Sequence, residues 1–406
     1  VLFRSPAAYS GPAPATADVQ AFRINVWDNL KAANRCGQCH TQGGQAPPFV
    51  TVALIAANAH ADSRATAFVS AYADDDGLTV VSPEVALRQE VDSTIDLEVA
   101  WEADIISAAS IDVLTAASPH GFEEVRHGLM AGVIWKPERE VTFGLRYLPT
   151  WEKDYDSHGL ALRAGYEWLE RRLEQRLDLR VSFDRVGRAG EPESEWRALR
   201  VVALGPSLSY VVDRWTVANI AYEIQAQSGF QSSPYRFVPI DWSASTTVSA
   251  PERHPEWRVR HAVAVGVRRA LSRRWFLSGG YRLYRDSWGL GSHTAEAGIQ
   301  HATRQERAIV GIDLRGYSQG EASFYEERYA AAVGTLPRYR SRDKMLSENW
   351  SVLAGLRGEV GVGPVAFAND LRLTARTEFY DQHFSTFEPL DARRAFIFQL
   401  GAHAEY

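Results

Sequence analysis

The residues best equipped for chemistry stand together near the start of the chain, in Cys36-Gly-Gln-Cys39-His40. Two thiols at this spacing reach both vinyl groups of a haem as thioethers, and the imidazole that follows can take one axial position on the iron. A structural zinc wants four ligands, so two thiols and one adjacent histidine fall short of it. No other cysteine occurs among the 406 residues, which makes chance a poor explanation of the motif. Elsewhere the pairings that hydrolases need are missing. His127, His158, His261, His293 and His403 are scattered, with no serine or aspartate at a catalytic spacing. The expectation is a protein that is not an enzyme, with His261 and His403 serving as strand residues at an interface.

A helical stretch, Val19 to Asn34, leads into the motif, and Thr41 to Phe49 follows it. With its flanks, the segment resembles a cytochrome c haem-binding segment. That resemblance implies haem c on Cys36 and Cys39, His40 as axial ligand, and a possible cytochrome partner. Both methionines, Met130 and Met345, lie far away, so no second axial ligand is evident. Residues 51–61 then read as the end of a secretory h-region closed by the small-x-small site Ala59-His60-Ala61, with Asp62 opening the mature chain. The expected division is a haem-motif fragment at 1–50, a signal-peptide-like remnant at 51–61 and a third unit at 62–406. Haem is attached after export, yet the motif precedes the export signal. A joined or truncated reading frame is therefore expected rather than a working haem-bearing fusion.

The third unit is dominated by strict apolar/polar alternation. From Ile95 to Ile105, Ile95, Leu97, Val99, Trp101 and Ala103 share one face while Asp96, Glu98, Glu102 and Asp104 share the other. Arg176 to Asp184 and Val365 to Phe379 repeat the pattern. Successive side chains of a strand point to opposite faces, so each run has one greasy and one charged side. Such runs fall near 65–73, 78–91, 95–106, 123–135, 140–150, 158–170, 174–186, 196–212, 215–227, 258–271, 275–286, 292–303, 306–318, 346–360, 365–380 and 395–406. That predicts sixteen strands, most of them longer than the usual five or six residues of soluble sheets and long enough to cross a bilayer at a tilt. Short turns at 136–139, 171–173, 213–214, 272–274 and 361–364 alternate with long links, notably 228–257 and 319–345. Outer-membrane barrels show this asymmetry.

The predicted fold class is thus all-β: a transmembrane antiparallel up-and-down β-barrel of about sixteen strands, preceded by a short, partly helical segment. Both termini are expected in the periplasm. The lumen should be lined by Glu98, Glu102, Arg146, Arg163, Glu167, Arg176, Asp178, Arg180, Arg258, Arg260, Arg282, Asp313, Arg315, Asp370, Arg372 and Arg376. Trp135, Tyr147, Trp151, Trp168, Trp215, Trp275 and Tyr380 end apolar runs and should ring the lipid interface. The net charge of −6 is spread evenly, without the basic stripe that nucleic acid requires, so DNA and RNA are excluded as partners. No run approaches the ~18 apolar residues of a spanning helix.

The final residues, Gln399-Leu-Gly401-Ala-His-Ala404-Glu-Tyr406, resemble the C-terminal signal by which the outer-membrane assembly machinery recognises barrels. Ile111 to Pro119, Glu123 to His127 and Trp151 to Ser157 are similar to the spaced motifs of the bacterial family catalogued as domain of unknown function 3570. This second resemblance covers Ala65 to Phe183 and implies an outer-membrane barrel without an assigned activity. The expected role is a pore or transport channel for small solutes. The alternative is the barrel component of an electron-transfer system partnered with a c-type cytochrome.

Overall fold

A computed structural model describes residues 63–108, 122–303 and 307–406, so Cys36, Cys39, His40 and the segment 51–61 lie outside the described residues. Nine strands come first: β1 (Arg64–Asp74), β2 (Leu78–Asp92), β3 (Ile95–Ala108), β4 (Phe122–Glu138), β5 (Val141–Trp151), β6 (Tyr155–Trp168), β7 (Leu173–Val186), β8 (Arg197–Asp213) and β9 (Thr216–Gly229). After β10 (Phe237–Ser243) and β11 (Thr246–Pro251) follow β12 (Trp257–Ala270), β13 (Trp275–Asp286), β14 (Gly291–Ala302) and β15 (Ala308–Gln319). The two-residue β16 (Tyr329–Ala330) precedes β17 (Asn349–Val365), β18 (Ala368–Phe384) and β19 (Ala392–Glu405).

All of these except β10, β11 and β16 form one closed antiparallel barrel of sixteen strands, in chain order around the ring. Closure is made by β1 against β19, in register from Arg64 opposite Glu405 to Asp74 opposite Ala395. A closed sheet leaves no backbone donor or acceptor unpaired at an edge, which is what hydrocarbon demands.

Burial runs opposite to that of a soluble protein. On β3, Leu97, Val99 and Ile105 are 46–49% exposed, while Asp96 and Glu98 on the other face are 1% and 9% exposed. The same outward apolar face continues through Val202, Val265, Ile312, Leu356 and Leu400. Side chains this large and this exposed, on strand after strand, form a belt that has to meet lipid rather than water. Aromatic rings border the belt at both rims. Trp135, Trp168, Trp215 and Trp275 lie at one, and Tyr147, Trp151, Trp257 and Trp350 at the other.

Tyr380 departs from the expected girdle. It pairs with Leu353, on the face opposite Phe379, and so turns into the barrel, where Arg393 lies 6.0 Å from its ring. His403 also turns inward, packing its ring edge-on 4.9 Å from Phe68, whereas His261 faces outward and bonds Tyr222 Oη through Nδ1 at 2.7 Å.

Among the described residues, one rim, the turn side, carries only brief connections: 93–94, 139–140, 169–172, 214–215, 271–274 and 366–367. The turn expected at 361–364 sits later, because bulges around Gly361 and Gly363 carry β17 and β18 further before they reverse. Gly363, at φ +86°, takes the left-handed conformation that such a bulge favours. The other rim, the loop side, holds the long links but also short ones at 75–77, 152–154 and 287–290. The two longest links are not plain loops. β10 pairs with β11 and, in parallel, with β16, making a three-stranded sheet around Val238, Ile240, Ala250 and Tyr329, each at most 4% exposed. This small sheet and its surroundings are called the crown below.

Candidate functional site

Alternation fixes what the barrel encloses. Facing away from the apolar belt are Glu98 and Arg146, joined at 2.7 Å, and Arg163 and Asp178, also at 2.7 Å. Arg176 reaches Glu174 at 2.5 Å, Arg315 reaches Glu296 at 3.6 Å and Arg357 reaches Asp313 at 3.1 Å. Arg372 bridges Asp370 and Glu359, both at 2.9 Å, while Arg376 meets Glu378 at 2.5 Å. Arg258 is held by Asp286 beneath the Trp288 ring, 3.9 Å from its centroid, and Glu167 bonds Arg171 at the turn side. The inward face therefore holds pairs of opposite charge strung from strand to strand.

Several inward positions are glycine, and these let the pairs lie flat. A Cβ on Gly298 would stand 2.5 Å from Asp313 Oδ1, and one on Gly311 would stand 2.9 Å from Arg357 Nε. With their side chains pressed to the wall, a cavity of about 1010 Å³ remains, bordered by Asn219, Arg282, Glu296, Arg315, Arg376 and Glu378 among others. A second, of about 470 Å³, is bordered by Arg146, Arg163, Glu167, Arg176, Asp178 and Arg180. A third, of about 250 Å³, lies where Ala203, Gly205, Ser207, Ala262 and Ala264 line the wall between Arg180 and Arg282.

Not every charge is matched. Arg180, Arg268 and Arg282 have no carboxylate within ion-pairing distance among the described residues, and Arg260 has only Gln225 at 3.4 Å. On β2 to β5 the imbalance is acidic. Glu84 lies directly opposite Glu102 in the β2–β3 register, a like-charge cross-strand pair of the destabilising kind. Arg126 alone serves three carboxylates, at 3.8 Å from Glu102, 3.6 Å from Asp104 and 3.9 Å from Glu152. Oxygens of Glu124, Glu152 and Asp154 fall within 4.8 Å of one another. Glu152 stands in the link between β5 and β6. Burial, and next the Glu124 charge, push its carboxyl up to about 7, against the opposing pull of Arg126.

The crown was not legible in sequence as structure. Its polar centre is Glu252, whose carboxylate accepts from Ser341 Oγ at 2.6 Å and Ser233 N at 2.9 Å, with Arg236 at 3.4 Å and His254 Nε2 at 3.2 Å. Burial alone would raise this carboxyl. His254, Arg236 and Ser341 outweigh it and hold the group down at about 2. The crown then ties to hairpins around the loop side. Lys344 Nζ meets Asp76 at 2.7 Å in a buried pair, Tyr235 Oη donates to Asp154 at 2.6 Å and Arg188 Nε to the Pro234 carbonyl at 2.7 Å. Tyr325 Oη donates to the Thr386 carbonyl at 3.1 Å.

A closed sheet with an apolar belt outside, a charge-paired interior and a folded crown on one rim defines a membrane-spanning β-barrel. Within that class, the chain belongs to the family described as "Protein of unknown function (DUF3570)", whose model matches residues 178–389. The segments 111–119, 123–127 and 151–157, on which the resemblance rests in sequence, precede the matched stretch. A comparison with curated proteins returns no significant match. Among solved structures, a bacterial polysaccharide outer membrane secretin is similar at a TM-score of 0.48 and 7% identity, over 86% of this chain and 100% of that one. OccD3 (OpdP) of Pseudomonas aeruginosa is similar at 0.44 and 7%, over 85% and 91%. OprD of the same organism is similar at 0.43 and 8%, over 86% and 96%. These are likenesses of general shape, without residue-level correspondence.

Proposed function

We infer that the protein is an outer-membrane channel for small polar solutes, entered on the loop side past the crown. The observation that carries this reading is the interior. Its charges are paired along the wall and partly seated over glycine, so space remains where a structural core would be filled. Barrels of sixteen strands leave an aqueous passage when their loops permit. Purified protein in planar bilayers should give discrete conductance steps, and folded barrels that stay electrically silent would refute the channel.

The asymmetry of the rims supports a periplasmic turn side, with the described start at Ser63 and the end at Tyr406 together there. Ser245→Cys, in the β10–β11 turn, should then react with a membrane-impermeant maleimide on intact cells. Capture by the assembly machinery would act through β19 and Tyr406, which follows it. A second reading rests on Cys36, Cys39 and His40, a donor set suited to covalent haem c, and makes the barrel a partner in electron transfer with a c-type cytochrome. A pyridine-haemochrome spectrum of the full chain expressed with haem-attachment machinery tests it, and a missing α-band removes it.

A further inference from the structure

The unmatched charges of the interior are segregated, and strand order says how. In a ring of sixteen, the diametric partner lies eight strands away, which sets β2 against β12 and β3 against β13. Glu84 on β2 and Glu102 and Asp104 on β3 thus face the wall that carries Arg260 on β12 and Arg282 on β13. The acidic side gains from Glu124, Glu152 and Asp154, and its Arg126 is outnumbered. The opposite side holds Arg260 and Arg282 without an ion-paired carboxylate, with Glu223 as the acid beside them, over a wall kept shallow by Ala262 and Ala264. Both sets lie in the loop-side half of their strands. Low-dielectric walls of opposite sign focus a field across the passage.

We propose that this lumen is polarised across its width and selects small zwitterions over neutral molecules of equal size and over ions of a single sign. An ion of either sign is drawn to one wall and repelled by the other. A zwitterion turned across the passage places each charge toward its complement and loses less on leaving water. The Glu84–Glu102 opposition fits this role, since neutralising either residue would ease the fold while weakening the acidic wall.

The proposal rests on the channel reading, and one experiment separates the two. Proteoliposomes of the full chain are swollen in β-alanine or in glycerol, which are nearly equal in size. The wild type should admit β-alanine at least about threefold faster than glycerol. Glu84→Gln/Glu102→Gln on one wall and Arg260→Gln/Arg282→Gln on the other should each bring that ratio near one, while glycerol rates stay within about twofold. Under a KCl gradient the first variant should turn anion-selective and the second cation-selective. A wild-type ratio near one, or a preference that survives both variants, overturns the proposal and leaves the channel standing. No swelling in either solute removes both. Heat-modifiable migration on gels confirms that each variant is folded.

Discussion

The Glu252 centre allows a quantitative prediction about the crown. Its carboxyl is held at about 2 against an ordinary 4.5, and the side chain is 0% exposed. A folded value below the unfolded one means that the charged form stabilises the fold. That contribution is complete above pH 4.5 and is lost as pH falls toward 2. A shift of this size corresponds to about 3 kcal/mol at neutral pH. Glu252→Gln keeps the shape and leaves an acceptor for Ser341, but removes the charge that faces Arg236 and His254. The local opening population of 230–256 and 320–348 should rise roughly a hundredfold at pH 7.5, because ~1.4 kcal/mol is a factor of ten. Amide exchange followed by mass spectrometry reads this directly. Peptides spanning 237–251 and 329–346 should lose protection while those from β12 to β15 keep theirs. Unchanged protection in the crown, or equal loss throughout the barrel, would refute the reasoning.

Other consequences follow from the same geometry. Leu314→Arg, midway along the outward face of β15, should cost ~2–4 kcal/mol in urea unfolding from liposomes, whereas Ala264→Arg, pointing into the cavity, should leave the midpoint nearly unmoved. Gly401→Ala would put a Cβ 2.3 Å from the Phe68 ring beside the closing seam. It should lower the gel-shift melting temperature by an amount matching ~1–3 kcal/mol of overpacking, and Phe68→Leu should restore part of it, the contact with Thr374 Oγ1 at 2.6 Å remaining. Leu169, Glu170 and Arg171 hold φ of 53°, 55° and 70° in the β6–β7 turn, so Glu170→Gly should stabilise the barrel by ~1 kcal/mol in the same assay. Glu152, protonated below about 7, adds its negative charge to the loop-side mouth only above that value. Cation preference measured by reversal potential should therefore rise between pH 6 and pH 8, and Glu152→Gln should flatten the rise. Because this carboxyl is raised rather than lowered, its ionisation also costs stability as pH climbs from 4.5 toward 7.

The barrel was legible because both faces of every strand have strict requirements. Lipid outside and water inside enforce a period of two over eleven to seventeen residues, and the sixteen strands fall within a few residues of the predicted runs. The crown obeys no such rule. Phe237–Ser243 and Thr246–Pro251 are short, and β16 is two residues that find their partner Ile240 only through a link almost ninety positions away. Its binding polar groups, Glu252, Arg236 and Asp343, come from two loops and have no common spacing. Tyr380 shows a second limit. Parity, not residue type, decides the face, and at a strand end an aromatic suits either side. The inward charges could be read one by one, but pairing them required register, and opposing them required closure.

Those two requirements tie the crown to the passage. The crown grips hairpins from β1–β2 through β5–β6, β7–β8 and β18–β19, so its contacts reach most of the way around the loop side. A solute entering there would meet the acidic wall and the crown at the same level, since Tyr235 is bonded to Asp154 within the acidic group itself. Burial, and next the accepting Asp154 carboxylate, push the Tyr235 hydroxyl up to about 12, so this tie persists across physiological pH. Opening at the Glu252 centre, which takes in 230–256, should therefore also release Tyr235 from Asp154, beside the charges proposed to select the solute.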